Sequence, residues 1–260
     1  MKNLNGVIVL CSGGLDSAVL ASYIKAVNEN CIIMNIKYGQ KAQEIEDFTT
    51  TNLAKYLDVP KISIDINVLC KEMGYTSALF GTEKRLKDAK TEAESTFAYV
   101  PFRNSLFSIL ALQQAEKIGA KGIILGINAD ENIYPDNGLE FLIDIGRIAR
   151  SGANIGGRLV VDAPFVNLTK KEIIEIGIAL KAPFELSSSC YFPTIQDGKV
   201  INCGDCGSDY LRIYAFKAAG YKDPAIYEKE INWGMHKDIK AEISYSLTLP
   251  HEEKIRYANE

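Results

Sequence analysis

The chain has 260 residues, 47% of them apolar and 24% charged, with a formal net charge of −4 and a pI near 5.4. That length can bury a core without covalent staples, and the composition excludes a disordered or low-complexity chain. The mildly acidic balance leaves no basic footprint for a nucleic-acid partner, and no run approaches the ~18 apolar residues of a membrane span.

The opening stretch MKNLNGVIVLCSGG has an apolar run too short for a secretory signal. The six cysteines therefore read as thiols or metal ligands, in a chain expected in the cytoplasm. GVIVL (6–10) predicts a buried strand, followed by a helix that places Val19, Leu20, Tyr23 and Ile24 on one face. CIIMNI (31–36) predicts a second strand, Glu44–Leu57 a helix with Ile45, Phe48, Leu53 and Tyr56 inward, and KISIDI (61–66) a third strand. Lys71–Ala98 has no period and predicts a loop or mobile insertion over the site. Asn104–Ile118 predicts a helix with Leu106, Ile109, Leu110 and Gln113 in register, with Asn104 as its N-cap, and GIILG (122–126) a fourth strand. TKKEIIEIGIAL (169–180) predicts an amphipathic helix opened by a Thr169/Glu172 capping box. A cysteine-bearing loop, a short helix near Asp209–Ala219 and a polar tail follow. Strand–helix alternation with short connections implies an α/β fold with a doubly wound parallel sheet. It divides into a main domain over 1–182 and a C-terminal metal-binding loop, helix and tail over 183–260.

In such a sheet ligands sit beyond the carboxyl ends of the strands. SGGLDS occupies that place after the first strand and opens a helix, whose N-terminus offers unpaired N–H groups and partial positive charge. Gly13 and Gly14 let the backbone approach an anion, while Ser12 and Ser17 add hydroxyls. The plain alternative is a strand–turn–helix capped by Asp16. The string is neither a P-loop of the GK[ST] type nor a GxGxxG fingerprint. Near the other end, Cys190 and the knuckle Cys203-Gly-Asp-Cys206-Gly present thiolates to one ion. Cys11, Cys31 and Cys70 lie in or beside apolar runs and read as small core residues.

SGGLDS resembles the pyrophosphate-binding loop of the ATP-pyrophosphatase superfamily, whose fold is Rossmann-like, of the adenine nucleotide alpha hydrolase type. IKYGQKAQE (36–44), YVPFRNSLFSILAL (99–112), GINADENIYPDNGLEFL (126–142), APFVNLTKKEIIEIG (163–177) and SSSCYF with CGDCGSDYLR (203–212) resemble the 7-cyano-7-deazaguanine synthase family of the queuosine pathway. The matches run in order from residue 7 to about 219, and the last 40 residues lie outside them. The resemblance implies a loop of Cys11, Ser12, Gly13, Gly14, Leu15, Asp16 and Ser17 that cradles the phosphates of ATP with Mg²⁺ assisting. It implies 7-carboxy-7-deazaguanine and ammonia as substrates, adenylation first to an amide and then to the nitrile, and a homodimer. Arg103 is the candidate cation for carboxylate or phosphate. Asn104, Asp136 and Lys170 are candidate substrate contacts, Asp136 competing with a plain turn role and Lys170 with a solvated helix position. The family's four zinc cysteines become Cys190, Cys203, Cys206 and, at the last position, Asp209, a carboxylate that zinc accepts, the alternatives being a water in that place or a weakened site.

Departures from the pattern are Lys37 for an aspartate, a missing histidine after YGQ, Phe102 for a glycine and Ser188 for a tryptophan. They leave two other readings beside the synthase. One is a divergent paralogue passing the adenylated acid to another amine, such as a protein; the other is a nucleotide-binding module without turnover.

Overall fold

The computed structural model describes residues 6–27, 30–72, 79–80, 99–131, 134–154, 159–234 and 237–238. Its centre is a five-stranded sheet in the order β3-β2-β1-β4-β5, with every pairing parallel. The strands are β1 (Val7–Leu10), β2 (Cys31–Lys37), β3 (Lys61–Asp65), β4 (Gly122–Ile124) and β5 (Val160–Asp162). Runs such as VIVL and CIIMNIK are β-branched and apolar at successive positions because both faces of a parallel sheet are covered.

The covering helices are α1 (Leu15–Val27), α2 (Gln43–Leu57), α3 (Asn67–Glu72), α4 (Arg103–Ile118), α5 (Leu139–Gly152), α6 (Lys170–Leu180) and α7 (Gly207–Ala218). Val7 and Val9 pack with Leu20, Ile173, Ile174 and Phe216 from α1, α6 and α7. Ile8, pointing the other way, packs with Ala111, Ala115 and Ile145 from α4 and α5. The sheet is therefore doubly wound, as the alternation implied. Phe184, Ala215 and Phe216 lie beyond residue 182 and share the core of β1 and α1.

Several sequence expectations are corrected. Tyr56 is 56% exposed, and α2 instead buries Thr49 and Thr50, whose hydroxyls bond the Glu46 carbonyl of their own helix. On α4, Ile109 and Gln113 face out while Ser108, Ala111, Leu112 and Ala115 face in. Small residues let that helix approach the sheet closely, which a rule weighted to large apolar side chains misses. Asn104 is not the N-cap: α4 begins at Arg103, and Phe102 precedes it in the left-handed region at φ 55° with no side-chain cap. The fourth strand ends at Ile124 rather than at 126. The Thr169/Glu172 capping box opens α6 as predicted. Cys11, Cys31 and Cys70 are buried, as expected of core residues.

Most of Lys71–Ala98 lies outside the described residues. Within it, Lys71 and Glu72 close α3, and the Leu79 carbonyl accepts from Lys41 N–H at 3.2 Å. After α6 comes a hairpin of β6 (Thr194–Gln196) and β7 (Lys199–Asn202), turned at Asp197–Gly198, where both residues have positive φ. β8 (Tyr221–Lys222), β9 (Ile226–Tyr227) and β10 (Lys237–Asp238) complete the described chain, β9 pairing with β7 and β10 with β8. Among the described residues no helix is long and apolar enough to cross a membrane.

Candidate active site

The carboxyl ends of β1, β2 and β4 open into one cavity of about 730 Å³, inside the range of small-molecule sites. Residues Ser12–Ser17 turn from β1 into α1 at its wall. Gly13 has φ +78°, and a Cβ there would stand 2.0 Å from Thr49 Oγ1, so the turn and its seat on α2 require glycine. Gly14 is different: the nearest atom to a Cβ would be Ser12 Oγ at 3.4 Å. Its missing side chain keeps the cradle open rather than the fold intact. Gly14 N–H donates to Ser12 Oγ at 3.3 Å and Leu15 N–H to Ser189 Oγ at 3.2 Å. These are long bonds to neutral hydroxyls, weaker than those an anionic oxygen would form at the same N–H groups.

Asp16 is no simple cap. Its Oδ2 accepts from Lys170 Nζ at 2.6 Å and from Asn128 Nδ2 at 3.3 Å. Lys170, the first residue of α6, is 8% exposed, so the solvated reading fails. Its own N–H donates to the Asp130 carboxylate at 2.7 Å. A cation is thereby fixed beside the phosphate-type loop by a residue 154 positions away.

A second group lines the same cavity. Arg103 Nη1 donates to Tyr38 Oη at 3.5 Å. Burial works against the Arg103 charge, but Tyr38, Glu46 and Asp136 outweigh it and keep the guanidinium firmly protonated. Gln40 links Tyr38 N–H, which its Oε1 accepts at 3.1 Å, to Glu46 Oε2, to which its Nε2 donates at 2.8 Å. Asn35 stands 1% exposed on the cavity wall, with its Oδ1 lacking a hydrogen-bond partner. Asp136 is buried; its Oδ2 accepts from Asn104 N–H at 2.9 Å and its carbonyl from Asn104 Nδ2 at 2.8 Å. The Asp136 carboxylate thus serves the α4 N-terminus in the place expected of Asn104.

The cysteine cluster closes the cavity on its remaining side. Cys190, Cys203, Cys206 and Asp209 bring four ligand atoms within 4.8 Å of one another. Cys206 Sγ lies 3.9 Å from Cys190 Sγ, and Cys203 Sγ 3.2 Å from Asp209 Oδ2. Tetrahedral thiolate sites place their ligands about 3.8 Å apart, so the set fits a metal ion. Backbone N–H groups of Tyr191, Phe192, Cys203, Asp205 and Asp209 point at the sulfurs, as they do around a thiolate knuckle. Asp209 Oδ1 is buried without a partner, and burial pushes the Asp209 carboxyl up to about 6. Hydrogen bonds from Cys190 and Cys206 pull the Cys203 thiol far below its ordinary range. Burial pushes the Asp209 carboxyl up because an uncompensated negative charge is costly there, a cost that a cation shared with the sulfurs would offset. Gly207, Tyr210, Leu211 and Tyr214 of α7 carry the cluster's helix onto the cavity wall.

Compared with known families, residues 6–220 match the family described as queuosine biosynthesis protein QueC. The chain belongs to the QueC family. A 7-cyano-7-deazaguanine synthase from Sulfolobus acidocaldarius is 36% identical over 231 residues, 87% of this chain and 49% of that protein. The chain spans about half the length of this relative and of those from Sulfurisphaera tokodaii and Saccharolobus solfataricus. A 7-cyano-7-deazaguanine synthase from Syntrophus aciditrophicus is 35% identical over 230 residues, 85% of this chain and 96% of that protein. Among solved structures, NMN synthetase from Francisella tularensis aligns over 98% of this chain and 87% of its own, at 15% identity and a TM-score of 0.44, too distant to bear on function. The family match stops at 220, where the sequence resemblance also stopped. Sequence reasoning did not single out Ser189, Asn128, Asn35, Gln40, Tyr38 or Glu46. Ser189, Asn128, Tyr38 and Gln40 sit inside stretches that resemble the family, and Glu46 lies two residues past one of them.

Proposed function

We propose that the chain converts 7-carboxy-7-deazaguanine and ammonia to 7-cyano-7-deazaguanine, with ATP cleaved to AMP and pyrophosphate at each activation. The observation that carries this reading is a family match over 6–220 joined to a glycine cradle, Lys170 and Arg103 around one cavity. Oxide is a poor leaving group from a carboxylate or an amide, and transfer of AMP to that oxygen makes it a good one. The site must hold two anions against their repulsion. The N–H groups of Gly14 and Leu15, the hydroxyls of Ser12 and Ser17, and Lys170 suit the triphosphate with its Mg²⁺, while Arg103 suits the acid. Asp16 orients Lys170. Asn104 and Asp136 shape the turn beside the acid.

Cys190, Cys203, Cys206 and Asp209 would hold Zn²⁺, whose role is to clamp the loop carrying Ser188 and Ser189. We expect a cytoplasmic homodimer.

Incubation with ATP, 7-carboxy-7-deazaguanine and ammonium as sole nitrogen source, followed by mass spectrometry, tests the reading. Nitrile with AMP and pyrophosphate is expected. Amide or adenylate without nitrile would favour another acceptor, and bound ATP without pyrophosphate release would favour a binding module. Asp16→Ala should lower pyrophosphate release by roughly 10²–10³-fold with an unchanged circular dichroism spectrum.

A further inference from the structure

Glu46 is an acid in the cavity that the foregoing account leaves unused. It lies on the first turn of α2, where Thr49 and Thr50 accept the packing of Gly13 and bond the Glu46 carbonyl. Its carboxylate makes no ion pair among the described residues. Oε2 is fixed by Gln40 Nε2 at 2.8 Å, Gln40 is itself pinned by Tyr38 N–H, and no described residue bonds Oε1. The charged and titratable groups facing it are Arg103 from α4, Tyr38 after β2 and Cys11 after β1. One oxygen is therefore held, the other has no hydrogen bond among the described residues, and Glu46 lines the cavity that Arg103 and the glycine cradle share.

Resting on the ligase reading above, we propose that Glu46 is the base that accepts the proton lost by the ammonia nitrogen as it displaces AMP. As the C–N bond forms, the acyl C–O bond to AMP breaks and its electron pair leaves on the phosphate. The surplus N–H proton passes to Glu46 Oε1, and the products are amide, AMP and the protonated carboxyl. Burial raises the Glu46 carboxyl to about 7, against the pull of Gln40 and Arg103, which is where a base working near neutrality is most effective. Tyr38, pushed by burial up to about 12, does not compete as a base at neutral pH.

The test compares two nucleophiles in wild type, E46Q and E46D. Hydroxylamine is unprotonated at neutral pH and traps an acyl adenylate without help from a base. In E46Q, which retains an oxygen for Gln40, hydroxamate formation should match wild type, while amide formation from ammonium should fall roughly 10²-fold. E46D should regain part of the amide rate. With free ammonia held constant, the wild-type amide rate should rise with pH through about 7 as Glu46 ionises, and that rise should be missing in E46Q. Equal loss with both nucleophiles, no loss with ammonium, or a raised KM for the acid in the hydroxamate assay would overturn the proposal and leave the ligase reading standing. A wild-type protein that forms no hydroxamate would overturn both.

Discussion

A methyl group at Gly13 would meet Thr49 in a backbone already at φ +78°, whereas one at Gly14 would meet ordinary contact distances. Gly13→Ala should therefore destabilise the protein by about 2–4 kcal/mol in urea unfolding, through left-handed strain and the clash together. Gly14→Ala should leave unfolding within about 0.5 kcal/mol of wild type and weaken ATP binding in calorimetric titration. In the string SGGLDS the two glycines look equivalent. What separates them is Thr49, supplied by α2 after a further strand. The same limit hid the partner of Lys170: residue type and capping pattern placed it on a helix start, but only the fold brings Asp16 to it. The residues of the glycine turn, Arg103 and Lys170 were readable one at a time; Asn128, Gln40, Ser189 and the pairings were not.

Elements were legible where the apolar period was strong. β1, β2, α1 and α6 stand close to where the pattern put them, because a two-sided sheet and its helices need continuous or one-faced apolar runs. α5 and β5 escaped, the latter a three-residue strand too short to carry a period. α4 was found but turned wrongly, since its buried face is built of serine and alanine. α7 carries a further element-scale feature with no sequence signature. Arg212, 1% exposed, donates from Nη1 to the Ser187 carbonyl at 3.1 Å and from Nη2 to the Phe184 carbonyl at 3.0 Å, and pairs with Asp223. It anchors the strand of chain that leads into Ser188, Ser189 and Cys190. Arg212→Ala should cost about 3–5 kcal/mol in urea unfolding, because Asp223 would remain buried without its cation.

At the scale of the whole molecule, the metal-type cluster and the phosphate-type loop are one connected object. Ser188 N–H donates to the Gly13 carbonyl at 2.9 Å, Ser188 Oγ to Asn202 at 2.6 Å, and Cys190 follows two residues on. If the cluster holds a metal ion as proposed, Cys203→Ser or dialysis against a chelator should lower the metal content found by elemental analysis. Faster amide exchange should then appear first in 187–210 and spread to 13–17, ahead of β1 and β2. The alternation of strand and helix announced the overall plan because each unit is local in sequence. The closure of the site was not legible, since it depends on contacts that span most of the chain.

That span bears on how the protein is made. Leu15 bonds a serine 174 positions later, and Asp16 a lysine 154 positions later. During synthesis the amino-terminal strands and helices can collapse early, yet the turn from Ser12 to Ser17 lacks its partners until Lys170 and Ser189 have emerged. A nascent chain arrested before that point would expose the glycine turn without its lysine or its serines. A turn that binds nucleotide, as proposed above, would therefore be completed by residues made long after the turn itself.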